Sequence, residues 1–471
     1  MVVSRPNARR TAGKKPAGQN RPTNQEPDKP DLAKPGLETR RVATKLLAAV
    51  VDAHASLDGL TDPAHGQPNF RALDARDRSL VRAILMSALR HRSTIEALLA
   101  RRLERPLPAN ARALSHALHV AAAQILFLDV PDSAAVDLAV TQAKSDPRLA
   151  RFAGLVNGVL RNLIRVKARA LPAALDQTRE APDWFAGRLE AAYGAETTAA
   201  ILAMHRVEPP VDFTVKEDPQ RWAEALGGIV LPTGTVRIAR LEAGVDTLPG
   251  FEEGAWWVQD TAASLPAKLL GDIAGARVAD LCAAPGGKTA QLIHAGANVT
   301  AVDLSKSRLK RLAENLTRLR LDAEIVESDI RKFQPDTPFD AILIDAPCSS
   351  TGTVRRHPDV PWTKSPEDIE KLAALQRALL DHAVTLVKPG GRIVFSNCSL
   401  DRAEGEDMLE AFLAETPDVA LDPIQPDDVP GIAAFVTPEG FLRTTPADTL
   451  GEDPLARGLD GFFAARLIRQ R

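Results

Sequence analysis

The sequence predicts an α/β protein in which a doubly wound, mostly parallel sheet follows an all-α domain and a small α/β subdomain. The chain has 471 residues, well above the roughly 100–200 residues of one domain. Apolar residues recur at helical spacing from about residue 37 to residue 170. From about residue 271 onward, short apolar runs alternate with helical segments, a pattern typical of a parallel sheet covered by helices.

Composition excludes several classes of protein. Hydrophobic residues make up 45% and charged residues 25% of the chain, so it is not wholly disordered. No apolar run approaches the roughly 20 residues that span a bilayer, and the N-terminus lacks the uninterrupted apolar stretch of a secretory signal. Three cysteines in so long a chain fit a reducing compartment, so we expect a cytoplasmic protein without a membrane partner.

The net charge of −2 hides a strong asymmetry along the chain. Residues 1–170 hold 28 Lys and Arg against 15 Asp and Glu, whereas residues 171–471 hold 31 against 46. A basic front on an acidic body predicts contact with a polyanion, most simply nucleic acid, although uneven composition without a partner is the alternative. Residues 1–36 contain six prolines and eight basic residues against three acidic ones, which predicts a disordered basic tail with a weak attraction for RNA.

The region 37–170 is predicted to be a compact all-α domain. Asp74 and Asp132 precede helical stretches and are expected to cap them. The apolar face of the last helix is expected to comprise Leu155, Val159, Leu160, Leu163 and Ile164. Arginines are expected on the outward faces of the domain, either simply solvated or in contact with RNA: Arg40, Arg41, Arg76, Arg78, Arg82, Arg90, Arg92, Arg161, Arg165 and Arg169.

The rest of the chain reads as two further units. Between 171 and 270, β-branched runs cut by Gly and Pro, such as VDFTVK, predict a small α/β (RRM-like) linker subdomain. Within 271–471, helices are predicted at 305–319 and 366–387, and five strands at ARVADL, NVTAVDL, AEIVESD, FDAILIDAP and GRIVFSNC. Ligands of such sheets bind beyond the carboxyl ends of the strands, near the point where strand order reverses, so we expect one site there.

The first of these strands runs into DLCAAPGGKT (280–289), whose glycines allow close approach of a ligand to the backbone. The segment lacks the G-x-G-x-x-G of nicotinamide dehydrogenases, and Ala283 stands where a P-loop requires glycine, so both classes are disfavoured. Acids end four successive strands: Asp280, Asp303, Asp329 and Asp345. Each alone could be a cap or turn residue, but together they suit a ligand with a ribose, an amino group and little negative charge, such as S-adenosylmethionine.

Cys348 and Cys398 follow the tips of the fourth and fifth strands. A lone cysteine is most often a small buried hydrophobe, and no C-x-x-C or nearby histidine indicates a metal site. Beside a methyl donor, a thiolate can add to C6 of cytosine and make C5 nucleophilic, and a second group can assist release of the product. A carboxyl such as Asp345 could stabilise charge that develops in the ring, and Lys288 is a candidate cation beside the nucleophile.

These segments resemble the NOL/NOP/Sun family of RNA cytosine-C5 methyltransferases. The matching stretches are GAWWVQDTAASL (254–265), DLCAAPGGKT (280–289), VDLSKSRL (302–309), DAPCSSTG (345–352), RRHPD (355–359) and SNCSLDRAEGED (396–407). FAGLVNGVLRNLIR (152–165) resembles the NusB-like RNA-binding domain, a pairing similar to the Fmu/Sun (RsmB-type) subgroup. The resemblance implies a Rossmann-like methyltransferase domain that methylates one cytosine in small-subunit ribosomal RNA. Apart from the resemblance, we expect a monomer without a metal that acts on free RNA or on an assembling subunit.

The resemblance also implies roles for single residues. Cys398 is expected to be the nucleophile, Cys348 to help release the product, and Asp345 to lie near the target base. The nucleophile could instead be Cys348, because the Pro-Cys pair of DNA cytosine-C5 methyltransferases follows the same strand; a non-catalytic RNA-binding factor is the alternative outside enzymes. Asn397 stands where the family often has threonine, and core packing is favoured over RNA stacking for Trp256-Trp257. The residues expected to bind S-adenosylmethionine are Cys282, Ala283, Ala284, Pro285, Gly286, Gly287, Lys288, Asp303, Asp329 and Asp345.

Overall fold

The computed structural model describes Met1 and residues 34–108 and 110–470. The predicted basic tail of residues 1–36 therefore lies outside the described residues, except for Met1 and residues 34–36.

The N-terminal part of the chain, residues 37–205, is helical and is called the helical front below. Its residues from Val42 to Ala174 share one apolar core, as predicted. Asp74 caps its helix, because its Oδ1 accepts from the N–H of Asp77 at 2.7 Å. The helices are α1 (Leu37–Ala53), α2 (Leu57–Leu60), α3 (Pro68–Arg71), α4 (Ala75–Arg90), α5 (Arg92–Ala100), α6 (Arg112–Phe127), α7 (Asp132–Ser145), α8 (Ala153–Gln177) and α9 (Asp183–His205, broken at Gly194).

Two expectations for single residues of these helices were wrong. Leu155 is 37% exposed, and its neighbour Val156 is buried instead, because Val156 lies three and four residues before the buried Val159 and Leu160 and so shares their face of α8. Asp132 is the first residue of α7 rather than its cap, and its carboxylate pairs with Lys167 at 2.7 Å.

Two arginines predicted to face outward are buried. The Nε of Arg40 donates to Gln124 Oε1 at 2.9 Å, and Arg90 donates to the carbonyls of Val207 and Arg355 at 3.1 and 3.0 Å. Buried acceptors therefore draw these two guanidinium groups inward, which an amphipathic pattern does not reveal.

The small α/β subdomain is a four-stranded antiparallel sheet of order β2-β3-β1-β4. Trp256 and Trp257 are buried, which confirms the core-packing interpretation. The elements are β1 (Val211–Val215), α10 (Pro219–Leu226), β2 (Ile229–Val230), β3 (Val236–Ile238) and β4 (Trp256–Val258).

The second half of the chain forms the predicted doubly wound sheet. Its strand order is β10-β12-β9-β8-β5-β6-β7, with β11 beside β12. Strands β5 to β9 pair with one another in parallel. Strand β12 is antiparallel to β9 and also to β10 and β11. The elements are α11 (Thr261–Lys268), β5 (Arg277–Leu281), α12 (Gly287–His294), β6 (Asn298–Asp303), α13 (Lys306–Leu319), β7 (Glu324–Glu327), β8 (Phe339–Asp345), α14 (Val360–Thr363), α15 (Pro366–Leu386), β9 (Val387–Asn397), α16 (Glu406–Glu415), β10 (Val419–Leu421), β11 (Leu442–Thr444) and β12 (Phe462–Arg469).

Strand order reverses at β5, which lies between β6 and β8. The tips of β5, β6, β8 and β9 therefore meet at one edge of the sheet, where a ligand site is expected. The helical front packs close to this edge, since α9 shares an apolar cluster with Val354, Val360 and Leu400. The division of the chain at residues 170 and 270 stays a prediction; α8 crosses residue 170 and ends at Gln177.

Candidate active site

The loop after β5 turns sharply over the sheet edge. Cys282 and Gly286 both have positive φ, 67° and 102°. A side chain at Gly286 would meet Leu312 of α13 at 3.0 Å, so glycine allows α13 to pack against the loop. The N–H of Ala284 donates to Asp303 Oδ2 at 3.2 Å, which joins the loop to the tip of β6.

The acids at the strand tips differ in their surroundings. Asp280 is fully buried; its Oδ2 accepts from Thr289 at 2.6 Å, while its Oδ1 has no partner among the described residues. Burial raises the pKa of Asp280 to about 7. Asp345 is half-buried and accepts from Lys288 Nζ at 2.7 Å and from Ser396 Oγ at 3.2 Å.

Asp303 and Asp329 make mainly local contacts. Asp303 is buried and also accepts from the N–H of Ser305 at 2.9 Å. Asp329 caps the turn that follows it, and both of its carboxylate oxygens accept from Arg331. The arginine and its hydrogen bonds lower the pKa of Asp329. Of the four acids, Asp280 and Asp345 line the cleft described next, whereas Asp303 and Asp329 do not.

A cleft of about 300 Å³ opens beside the loop after β5. It is lined by Cys282–Pro285, Gly287, Lys288 and the two acids Asp280 and Asp345. The cleft is also lined by charged side chains from distant segments, Asp212, Asp260, Arg356 and Asp460, which the sequence did not predict as site residues. Arg356 bridges Asp260 at 2.6 Å and Asp460 at 3.0 Å, and it belongs to the RRHPD stretch, the one signal that could have indicated these residues.

The sulfur atoms of Cys348 and Cys398 lie 3.4 Å apart. Because the thiol of Cys348 hydrogen-bonds Cys398, the pKa of Cys398 is lowered and that of Cys348 is raised. Ser350 Oγ lies 3.6 Å from Cys398 Sγ. The third cysteine, Cys282, has its pKa raised by burial, so Cys398 is the thiol with the environment that best favours a thiolate.

The loop that carries Cys398 is held on both sides. Asn397 is buried; its amide donates to the carbonyl of Glu404 at 2.6 Å, and its Oδ1 accepts from the N–H of Ser399 at 3.0 Å. Helix α9 contacts the other side, because Arg188 forms a bidentate pair with Asp401.

Within the ranges that the structure describes, no group of three or more His, Cys, Asp and Glu side chains is placed to hold a metal ion. None of the described helices is long and apolar enough to cross a membrane.

Comparison with known proteins identifies the family. A family model described as 16S rRNA methyltransferase RsmB/F matches residues 267–468, and a NusB family model matches residues 37–165. The ribosomal RNA small subunit methyltransferase B of Cronobacter sakazakii is 33% identical over 454 residues, which cover 93% of this chain and 100% of the relative. The protein of the same name from Xylella fastidiosa is 36% identical over 449 residues, 92% of this chain and 98% of the relative. The chain belongs to the ribosomal RNA small subunit methyltransferase B family.

Solved structures share the fold. The crystal structure of PH0851 aligns with a TM-score of 0.65 at 23% identity and covers 92% of this chain and 99% of that one. A methyltransferase homologue from Pyrococcus horikoshii aligns with a TM-score of 0.50 at 24% identity over 66% and 98% of the two chains. The family assignment confirms the resemblance drawn from the motifs and makes the chain a methyltransferase with a NusB-like helical front.

Proposed function

We propose that the protein methylates C5 of a cytosine in small-subunit ribosomal RNA, using S-adenosylmethionine and a covalent bond between Cys398 and C6 of the base. The observation that carries the proposal is the pair of thiols 3.4 Å apart beside the tip of β8 and the tip of β9. Two curated relatives that span nearly the whole chain are named as methyltransferases of small-subunit ribosomal RNA, which supports this substrate.

The cofactor site proposed for S-adenosylmethionine is the edge formed by residues 282–288, Asp303, Asp329 and Asp345. The free Oδ1 of Asp280 fits such a ligand, because a buried acceptor without a partner is costly unless a donor such as an ammonium group reaches it. When bound there, S-adenosylmethionine would supply an electrophilic methyl group. Asp329 fits least directly, since its carboxylate already contacts Arg331.

The nucleophile in this proposal is Cys398. Its thiolate adds to C6, and the electron pair of the C5–C6 bond makes C5 the attacking atom. After transfer, a base takes the proton from C5, the electron pair of that C–H bond restores the C5–C6 double bond, and the Sγ–C6 bond breaks with its pair returning to Cys398. Cys348 lies near enough to assist this release, while Asp345 would bind the amino edge of the base and Lys288 holds that carboxylate in place.

RNA is the proposed partner of the basic front. Helix α8 carries Arg161, Arg165 and Arg169 at four-residue spacing, and all three are exposed. Residues four apart lie on one face of a helix, so these arginines form a row that suits a phosphate backbone. We further propose that the protein acts as a monomer in the cytoplasm, where ribosomal subunits assemble.

Trapping on RNA that contains 5-fluorocytosine tests the proposal, since fluorine at C5 blocks the loss that precedes release. Cys398→Ala is expected to form no covalent adduct, and Cys348→Ala is expected to accumulate one on normal RNA. Cys282→Ala removes the thiol at the proposed cofactor edge and leaves the pair in place, so any adduct that it forms should still map to Cys398. The reverse pattern would assign the nucleophile to Cys348.

Labelled S-adenosylmethionine tests the reaction itself. Folded protein is expected to transfer label to unmodified small-subunit RNA, presented either free or in assembling subunits. Transfer to neither substrate would contradict the enzymatic proposal and favour a non-catalytic RNA-binding role.

A further inference from the structure

A buried glutamate lies beneath the two loops that carry the cysteines. Glu404 ends the short turn Arg402–Glu404 and is 0% exposed. Its Oε1 accepts from the N–H of Ser349 and from Gln376 Nε2, each at 2.9 Å. Its Oε2 accepts from the hydroxyls of Ser349 and Ser399 at 2.5 and 2.6 Å. Burial raises the pKa of Glu404.

These contacts reach the residues on both sides of each cysteine. Ser349 and Ser399, which directly follow Cys348 and Cys398, donate to the Glu404 carboxylate. Asn397, which precedes Cys398, donates to the Glu404 carbonyl. Pro347, which precedes Cys348, accepts at 3.0 Å from Gln376, the same amide that contacts Glu404.

We propose that Glu404 is a positioning residue that keeps Cys348 and Cys398 at contact distance. Burial of a carboxylate is costly unless its oxygens are fully hydrogen-bonded. The oxygens of Glu404 accept hydrogen bonds from four neutral donors. Two of them come from the loop of Cys348 and one from the loop of Cys398. Glu404 thereby joins two segments that are far apart in sequence at the place where the sulfurs must meet.

The substitutions separate positioning from bulk stability. Glu404→Gln keeps an acceptor toward the two N–H donors, and its amide can donate to hydroxyls that rotate to accept. Glu404→Ala removes the acceptor that these donors share and loosens the two loops. Weaker direct contacts still join the loops, because Ser349 Oγ lies 3.2 Å from Ser399 Oγ and the N–H of Gly352 donates to the carbonyl of Cys398 at 2.9 Å.

Disulfide formation measures the distance between the sulfurs without any methyl transfer. The azo oxidant diamide takes two electrons and two protons from the thiols, forms the Sγ–Sγ bond and is itself reduced to a hydrazine. Mass spectrometry of the full chain then identifies the 348–398 disulfide. The matched control is Glu180→Ala, because Glu180 is also buried and accepts from two N–H groups and a hydroxyl, those of Ser93 and Thr94 in the helical front.

We expect Glu404→Ala to slow disulfide formation by about tenfold or more, while Glu404→Gln and Glu180→Ala stay near the wild-type rate. Wild-type rates in Glu404→Ala would overturn the proposal. If that variant does not fold, Ser349→Ala and Ser399→Ala, which each remove a hydroxyl donor, must slow the reaction, and unchanged rates in both would overturn it equally.

The catalytic consequence rests on the proposed function. In the methyl-transfer assay, Glu404→Ala should lower kcat by about 100-fold with little change in the Kd for S-adenosylmethionine, and Glu404→Gln should restore most of the rate. A wild-type protein that forms the disulfide but transfers no methyl group would contradict the proposed function and leave the positioning role intact; equal kcat in Glu404→Ala and wild type would contradict the role in catalysis.

Discussion

Several neighbours act on the sulfur of Cys398. The hydrogen bond from Cys348 lowers its pKa most, and Ser350 and Lys288 lower it further, whereas burial and the charge of Asp345 raise it. Hydrogen bonds from neutral groups therefore contribute to the reactivity of this thiol in addition to the single cation nearby.

Ser350 provides a test of that balance. We expect Ser350→Gly to raise the pKa of Cys398, because the thiolate loses one donor. The change should not lower stability, since Ser350 has a φ of 60°, a conformation that glycine adopts without strain. The pH dependence of iodoacetamide alkylation at Cys398, read by mass spectrometry, measures the effect. Ser350→Ala is the control that loses the same hydroxyl and keeps the strain; an unchanged pH profile in both variants would show that Ser350 does not influence the thiol.

Asp280 makes stability depend on pH. Its pKa of about 7 in the folded protein lies above the unfolded value of about 3.9. The neutral carboxyl therefore stabilises the folded state at low pH, and this stabilisation is lost as pH rises through 7. The free energy of unfolding of Asp280→Asn, relative to that of wild type, should therefore be higher at about pH 8 than at about pH 5 by on the order of 2 kcal/mol. Urea unfolding of both proteins at the two pH values measures the difference. An offset that is the same at both values would mean that Asp280 titrates normally.

At the scale of elements, helix α9 of the helical front contacts the loop that carries Cys398. Arg188 pairs with Asp401, and the hydroxyl of Tyr193 donates to the carbonyl of Leu400 at 2.7 Å. The front of the molecule is therefore part of the support of the site, in addition to any contact it makes with RNA.

Arg188 of α9 and Arg179, which lies just before this helix, allow that support to be measured. Arg188→Met should cost about 2 kcal/mol in the free energy of unfolding, because Asp401 is buried and loses a bidentate partner. Arg179→Met removes an ion pair with Asp183, the fully exposed first residue of α9, so we expect no measurable loss. Urea unfolding compares the two variants, and equal effects would show that the contact with Asp401 is not structural.

How far the sequence predicts the elements depends on the range of the interactions. The strands and their tips were predictable because apolar runs end at polar residues, and the family motifs then indicated Cys348 and Cys398. Glu404 lies within one of these motifs, yet the role proposed for it depends on donors from three separate segments, which spacing does not reveal. The same holds for Arg40 and Arg90, whose burial depends on acceptors supplied by segments far away in sequence.

At the scale of the whole molecule, the RRHPD stretch (355–359) lies at the interface between the helical front and the sheet domain. The carboxylate of Asp359 accepts from the N–H of Leu57 at 2.9 Å, and the carbonyl of Arg355 accepts from Arg90 at 3.0 Å. Contacts of this kind join the basic front to the acidic half of the chain, so RNA bound to the front, as proposed, would lie on a part of the molecule that is fixed to the sheet domain.

The arginine row on α8 predicts how RNA affinity responds to salt. Changing Arg161, Arg165 and Arg169 together to Gln should weaken RNA binding and reduce the slope of log K against log salt by about 2, because each lost phosphate contact contributes about 0.7. Affinity for S-adenosylmethionine should not change. Fluorescence anisotropy over a salt series measures the slope, and the control changes three exposed arginines of the sheet domain, Arg392, Arg402 and Arg457, to Gln. An unchanged slope would place the RNA on another face.

The position of β12 has a consequence for synthesis on the ribosome. Phe463 pairs with Asn397, so the strand that ends beside Cys398 acquires its outer neighbour only after residues 462–469 have been made. A nascent chain that already carries every family motif therefore still has an open strand edge next to two thiols, and such edges invite pairing with other chains. Translation that stops before β12 would yield an aggregation-prone product with no finished site, despite a complete set of motifs.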